Sequence, residues 1–154
     1  MKPAIQPAAP TDIDVIVEFS RHLNEEDPDF TGEVHFDETT VRAALTKFLT
    51  DPALGQAWLI YDGDAPIGYA VLTLGYSLEY HGRDAFIDEL YIAAGYRGRG
   101  IGRWVMQFVE DEACKLGVHA LHLEVEQANL RAQALYHKLG YEDHKRYLLT
   151  KWIK

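Results

Sequence analysis

Gly95-Tyr96-Arg97-Gly98-Arg99-Gly100-Ile101-Gly102, or GYRGRGIG, separates a β-rich run from an amphipathic one. Small residues and two arginines lie where a strand runs in and a helix leaves. Backbone amides without Cβ cover, cations and a helix N-terminus are the ingredients of an anion cradle. A tight strand–helix connection, whose glycines only satisfy positive φ, would read the same way. Either reading makes this segment the hinge of an α/β unit.

Upstream, Leu90-Tyr91-Ile92 closes a strand expected over Arg83 to Ile92, entered through His81-Gly82. Before it, Trp58-Leu59-Ile60-Tyr61 runs into the hairpin signal Asp62-Gly63-Asp64, and Pro66 to Tyr76 resumes with β-rich residues. Thr11-Asp12-Ile13-Asp14 has capping-box form and opens a helix expected over Asp12 to Asn24, after an extended segment at Ala4 to Gln6. Asp37 to Thr50 carries Val41, Ala44, Leu45, Phe48 and Leu49 at helical spacing. Downstream, Ile101, Val105, Phe108, Val109, Ala113 and Leu116 mark one helical face, ended by Gly117. Leu121, Leu123 and Val125 alternate as a strand, and Ala132, Leu135, Tyr136 and Leu139 form another helical stripe before Gly140. Tyr141 to Trp152 is expected as one or two closing strands. The order β-α-α-β-β-β-α-β-α-β joins an antiparallel half to a β-α-β unit that crosses over in parallel. That is a mixed α/β sandwich in one domain spanning residues 1–154.

A chain of 154 residues suits one domain with a core of its own. Cys114, the single cysteine, rules out an internal disulfide framework and a cysteine-based zinc cluster. It falls near the apolar face of its helix, where a packed thiol is expected. Met1 to Pro10 lacks the apolar core of a signal peptide, and no run approaches the length of a membrane span. The expectation is a cytoplasmic protein with no membrane partner. A net charge of −9 argues against general nucleic-acid affinity and is compatible with cationic small partners, although solubility alone also accounts for it.

Several chemistries drop out. Neither Ser20 nor Ser77 sits in G-x-S-x-G, so a serine hydrolase of that kind is excluded. His119 and His122, three apart on a strand, point to opposite faces and do not share a metal. Gly95 to Gly100 has the outer spacing of a P-loop, but Ile101-Gly102 stands where lysine and a hydroxyl are needed. Arg103 occupies the place of the third glycine of G-x-G-x-x-G. Nucleoside triphosphate and dinucleotide readings therefore fail, and a metal-free anion site remains.

Taken together, Leu90 to Ile92, Arg97 to Gly102, Asn129, and Leu135-Tyr136-His137-Lys138-Leu139-Gly140-Tyr141 resemble the GCN5-related N-acetyltransferase family. Arg97 to Gly102 fits that family's Q/R-x-x-G-x-G/A motif. Asn129, Ala132, Leu135, Tyr136, Gly140 and Tyr141 fit a second element following in order. The resemblance implies a mostly antiparallel sheet flanked by helices, with splayed central parallel strands. It implies acetyl-CoA as co-substrate, with no metal. The amides from Gly98 to Gly102 would hold its diphosphate, and Arg97, Arg99 and Arg103 would add charge. The backbone of Leu90, Tyr91 and Ile92, with Asn129, would hold the pantetheine arm.

Acetyl transfer makes its own demands. An alkylamine must lose a proton before it attacks a thioester, and a carboxylate or a water held by one accepts it. The oxyanion needs a backbone N–H, which a splayed strand edge near Ile92 could supply. The leaving thiolate needs an acid, and Tyr136 stands in the family's position for it; an ordinary aromatic in a helical stripe is the plainer alternative. Three carboxylates compete as base: Asp88, Glu89 and Glu124. Asp88 and Glu89 are strand neighbours and should point to opposite faces. Glu124 matches a base of the family's protein N-terminal acetylating members. Glu126 stands where many relatives carry arginine.

Acidic residues Glu25, Glu26, Asp27, Asp29 and Glu33, and the loop Tyr76, Glu79, Tyr80 and His81, suit a cationic acceptor, although each could be a solvated charge. A small-molecule amine, a lysine side chain or a protein N-terminus are the acceptors this suggests. A non-catalytic acyl-CoA-binding regulatory module would keep the glycine turn without the acid and base. Tyr147, Leu148, Leu149, Trp152 and Ile153 are compatible with a core strand or with a homodimer seam.

Overall fold

Ala57, Trp58, Leu59 and Ile60 are all buried, which is why this run lacks polar alternation: both faces of its strand are covered. In the computed structural model, which describes residues 3–26 and 35–153, that strand is second of five. The chain divides into two compact units, Met1–Glu124 and Val125–Lys154.

The first unit holds the sheet, in the order β1 (Pro3–Pro7), β2 (Gly55–Asp62), β3 (Ala65–Ser77), β4 (Gly82–Ile92) and β5 (Ala120–His122). Neighbours from β1 to β4 are antiparallel, and β5 joins β4 in parallel. The parallel ladder is short, from Asp84↔Ala120 to Phe86↔His122. Beyond Phe86, β4 has no strand on its β5 side among the described residues, in keeping with the splayed parallel strands that the family resemblance implies.

Helices α1 (Ile13–Glu26) and α2 (Glu38–Thr50) cover one face. There Ile16, Ala57, Leu59, Tyr69, Val71 and Tyr91 are buried together, with Phe19, Leu23, Leu45 and Phe48 packed on them. Helix α3 (Ile101–Lys115) buries Ile101, Val105, Met106, Val109 and Ala113 and contacts β3 and β4. Phe108 meets Trp58 edge-on, ring centroids 5.6 Å apart, in the arrangement favoured by the aromatic quadrupole. Asp37 caps α2 by accepting from the Thr40 amide at 2.9 Å.

The second unit contains α4 (Leu130–Lys138). Asn129 caps it, its side-chain oxygen accepting from the Ala132 amide at 3.0 Å.

Four expectations need correction. Asp12, rather than the Thr11/Asp14 pair, closes the entry to α1: its carboxylate accepts from the Ala9 amide at 2.8 Å, and its amide donates to the Ala9 carbonyl at 2.8 Å. Strand β5 ends at His122, so Leu123 and Val125 lie outside it. Residues 141–153 form neither helix nor strand, and Tyr147, Leu148, Leu149, Trp152 and Ile153 are exposed. Apolar residues make a strand only when an edge pairs with them, and the sequence shows no partner. Cys114 is exposed, one residue past the buried Ala113, because a stripe of 3.6-residue period leaves that position outside.

Close approach between β3 and β4 requires glycine at 68. A Cβ there would lie 2.2 Å from the Tyr91 carbonyl oxygen and 3.2 Å from Ile92 Cα. Gly68→Ala should therefore cost about 1–3 kcal/mol through overpacking against backbone. A urea midpoint within error of the native value would show that the ladder yields.

Candidate active site

The ladder between β3 and β4 slips by one residue. Leu72 faces Ile87 while Val71 faces Glu89, leaving Asp88 as the extra residue of a β-bulge. The parity argument for the two carboxylates assumes an unbroken ladder, which the bulge interrupts. Strict alternation fails at a bulge, and Glu89 joins Tyr91 on the α1 face, opposite Val71 and Tyr69.

Glu89 is half-buried there and accepts a hydrogen bond from the Tyr69 hydroxyl at 2.8 Å. Burial raises its pKa; the Tyr69 bond opposes that rise, and the Asp88 charge adds to it. Asp88 is more exposed, yet desolvation also raises its pKa. Tyr69 is fully buried, and its phenol is pushed well up by burial and by the Glu89 charge. Two carboxylates of β4, Glu89 and Asp88, thus act on the phenol of Tyr69 across the ladder on β3. Sequence reading did not find Tyr69, because a tyrosine in a buried strand looks like any core aromatic. Glu124 lies past the end of β5 and is exposed.

Downstream of β4 a 3₁₀ turn, Ala94–Tyr96, leads into the glycine segment. Gly98 (φ 76°) and Gly100 (φ 81°) adopt left-handed backbone, which a side chain would resist. The first bond of α3 runs from the Trp104 amide to the Gly100 carbonyl at 3.1 Å. Among the described residues, the amides of Ile101, Gly102 and Arg103 therefore donate to no protein group, and the helix dipole is directed the same way. A Cβ on Gly102 would meet nothing within 4 Å. Its glycine has no steric reason within the described protein, and alanine would suit the helix better. The donor set and this open approach fit a diphosphate.

The arginines divide. Arg97 Nε donates to the Ile92 carbonyl at 2.6 Å, its guanidinium pairs with Glu26 at the end of α1, and it lies 5.4 Å from the Tyr91 ring centroid. Arg99 donates to the Gly95 carbonyl at 2.8 Å and lies over Tyr96. Arg103 is exposed and has no ion-pair partner among the described residues. Of the acidic residues expected to face an acceptor, Glu26 is spent on Arg97, and Asp27, Asp29 and Glu33 lie outside the described residues.

In the second unit, Asn129 commits its oxygen to capping α4 and keeps its amide NH2 as donor. Tyr136 meets Tyr141 at a steep angle, centroids 5.9 Å apart, and burial raises its pKa.

The profile of the acetyltransferase (GNAT) family matches residues 18–141. The chain belongs to that family. Among relatives, a thialysine N-epsilon-acetyltransferase of Bos taurus is 35% identical over 81 residues, covering 53% of this chain and 47% of that protein. A D-amino-acid N-acetyltransferase of Saccharomyces cerevisiae is 34% identical over 84 residues, covering 54% and 51%. The chain thus spans about half the length of these curated relatives. An integron cassette protein from a salt-marsh metagenome superposes with a TM-score of 0.84 at 31% identity, over 97% of this chain and 90% of that one. The mixed sheet with helices on its faces is the GNAT fold.

Glu89 has a cost for the GNAT core. A carboxyl whose folded pKa is raised contributes stability that is complete below its unfolded value, near 4.3, and is lost as pH rises through the folded value. Glu89→Gln removes that loss. The variant should match the native chain near pH 4 and gain relative stability toward pH 8, read as urea midpoints across that range. A native-minus-variant difference independent of pH would show that Glu89 ionises without penalty.

Proposed function

We propose that this chain is an acetyl-CoA-dependent N-acetyltransferase that moves an acetyl group directly to a primary amine, its two units acting as one acetyltransferase domain. The observation that carries the reading is the pair Asp88 and Glu89 at the bulge of β4, the strand that leads into the glycine turn, with Glu89 bonded to Tyr69 of β3.

Acetyl-CoA supplies an activated acyl thioester. The amides of the turn and of the first α3 residues, Gly98 to Arg103, take its diphosphate, with Arg103 and Arg99 adding positive charge. The free edge of β4 at Leu90, Tyr91 and Ile92 takes the pantetheine arm, aided by the Asn129 amide. Arg97 belongs to this set through its place in the turn, while its side chain secures the Ile92 carbonyl.

The acceptor arrives protonated, since alkylamines have pKa values near 10. Glu89 is the favoured base, directly or through a water shared with Asp88, because its raised pKa gives it more affinity for the proton than an exposed carboxylate has. Glu124, exposed beyond β5, is the weaker candidate. The neutral amine nitrogen forms its bond to the thioester carbon, and a backbone N–H at the unpaired edge of β4 stabilises the oxyanion. As the carbon–sulfur bond breaks, the Tyr136 hydroxyl gives its proton to the thiolate. A phenol whose pKa burial has raised is fully protonated at neutral pH, as this role requires. The cytoplasm, rich in coenzyme A and amines, is the compartment this chemistry suits.

Thiol release from acetyl-CoA across a panel of amines tests the reaction. Acetyl-CoA binding without release with any amine would leave a regulatory acyl-CoA module instead. Gly102→Glu separates the cradle from the fold: an acidic residue in the first turn of α3 suits the helix, so the melting temperature should hold or rise while acetyl-CoA binding is lost. Binding retained in that variant would move the diphosphate elsewhere. Tyr136→Phe should keep acetyl-CoA affinity and lose about 10²–10⁴-fold in kcat, the usual worth of a positioned acid. Full turnover across the pH range would remove Tyr136 from the mechanism.

A further inference from the structure

The α1-side face of β4 carries a second polar feature that the proposed reaction leaves unused. Asp84, Phe86 and Glu89 face Gly75, Thr73 and Val71 in the ladder and therefore share one face of the sheet. At the far end of this row, Asp84 Oδ2 lies 3.3 Å from His122 Nε2 on β5, and each side chain is only 15% exposed. Aromatic rings flank the imidazole: Tyr80 with its centroid at 4.8 Å and Phe86 at 5.0 Å. Phe86 itself is 37% exposed, so this wall is open to solvent.

The carboxylate has been given room. A Cβ on Gly75 would lie 2.6 Å from Asp84 Oδ1, so any other residue at 75 would push the carboxylate aside. Its partner is an imidazole rather than a permanent cation. The adjacent Arg83 is turned away and donates to the Leu116 carbonyl at 3.1 Å. Among the described residues no lysine or arginine pairs with Asp84. A carboxylate whose imidazole partner is flanked by the Tyr80 and Phe86 rings suits an organic ammonium, which gains from the charge and from the open Phe86 face together. It suits a metal ion poorly, since one carboxylate and one imidazole leave most of a coordination shell unfilled.

We propose that Asp84, with His122, Tyr80 and Phe86, forms a subsite for a second ammonium group of the acceptor, so that the chain favours elongated di- or polycationic amines. This rests on the acetyltransfer reading above. Asp84 and Glu89 are five residues apart on a strand, so the second cation sits about 14–16 Å along β4 from the proposed base. Short amines fall short of both ends, whereas a linear diamine or triamine lies along Phe86 with its reacting nitrogen at Glu89. The chain's net charge of −9 draws such polycations toward the surface.

The test compares n-alkylamines with α,ω-diamines of increasing length and a linear triamine, each read by coenzyme A thiol release. The native chain should show KM falling with diamine length and no such trend among monoamines. Asp84→Asn should raise KM for the long diamines and the triamine by about 10–100-fold, the worth of a hydrogen bond to a charged group, with kcat and monoamine kinetics unchanged. Monoamine turnover also reports that this variant is folded. If it is not, Phe86→Leu, which removes a ring without touching a charge, should give a smaller shift in the same direction. Equal KM for long diamines and monoamines in the native chain, or equal losses for both in Asp84→Asn, would overturn the subsite while leaving acetyl transfer intact. Thiol release with no amine of either series would remove the reaction and the subsite with it.

Discussion

The extra residue in the β3–β4 ladder fixes most of what surrounds it. Because of the slip between Val71 and Leu72, Glu89 shares its face with Phe86 and Asp84, which unbroken alternation would set on the opposite side. Glu89 accepts from Tyr69 of β3, and the Asp88 charge acts on both. A bulge also bends its strand and increases local twist. The parallel pairing to β5 stops at Phe86, two residues before the bulge. Among the described residues β4 then has no strand partner on that side as it runs toward the glycine turn.

This arrangement runs against stability. A half-buried carboxylate beside a second one, with a phenol for its main partner, is poorer than an apolar pair would be on a face otherwise made of Ile16, Leu59, Val71 and Tyr91. Tyr69 offsets part of the cost by donating to Glu89, and its own raised pKa keeps it a donor across the physiological range. The penalty persists where the packing around it is tight. Phe19 stacks nearly parallel to Tyr69, centroids 6.2 Å apart, and tilts against Tyr91 at 5.5 Å. A site built on such a face holds its geometry because the aromatic layer, rather than the polar group, supplies the cohesion.

What could be read from the sequence follows from the range of the interactions involved. Helices α1, α2 and α3 have periodic apolar faces and local caps or stops, and each emerged within two residues of its expected bounds. The hairpin at Gly63 and the left-handed glycines of the turn, Gly98 and Gly100, are equally local. The bulge is not, because it is a relation between residues 71–72 and 87–89 that neither strand announces alone. The same holds for the Asp84–His122 pair, which joins strands 38 positions apart, and for the length of β5, set by where β4 bends away. The apolar residues Tyr147, Leu148, Leu149, Trp152 and Ile153 show the reverse case: strand-forming residues without a paired edge make no strand.

Arg97 shows how a matched motif and a physical role can part company. Its position satisfies the family pattern, and a cation beside a phosphate cradle invites the simplest electrostatic reading. Its guanidinium instead joins three protein groups: the Ile92 carbonyl at the end of β4, the Glu26 carboxylate at the end of α1, and the Tyr91 ring between them. Tyr91 also donates from its hydroxyl to Glu26 at 3.4 Å, closing the cluster. One planar cation with five donors can satisfy a carbonyl and a carboxylate at once while stacking on an aromatic face, which a lysine cannot. The consequence is mechanical. The last residue of β4 and the last turn of α1 are tied through the first residue of the glycine segment, so the cradle is held in place relative to the strand that carries Asp88 and Glu89. Diphosphate charge in the proposed site then falls to the helix amides, Arg103 and Arg99, and Arg97 contributes by fixing where those amides stand.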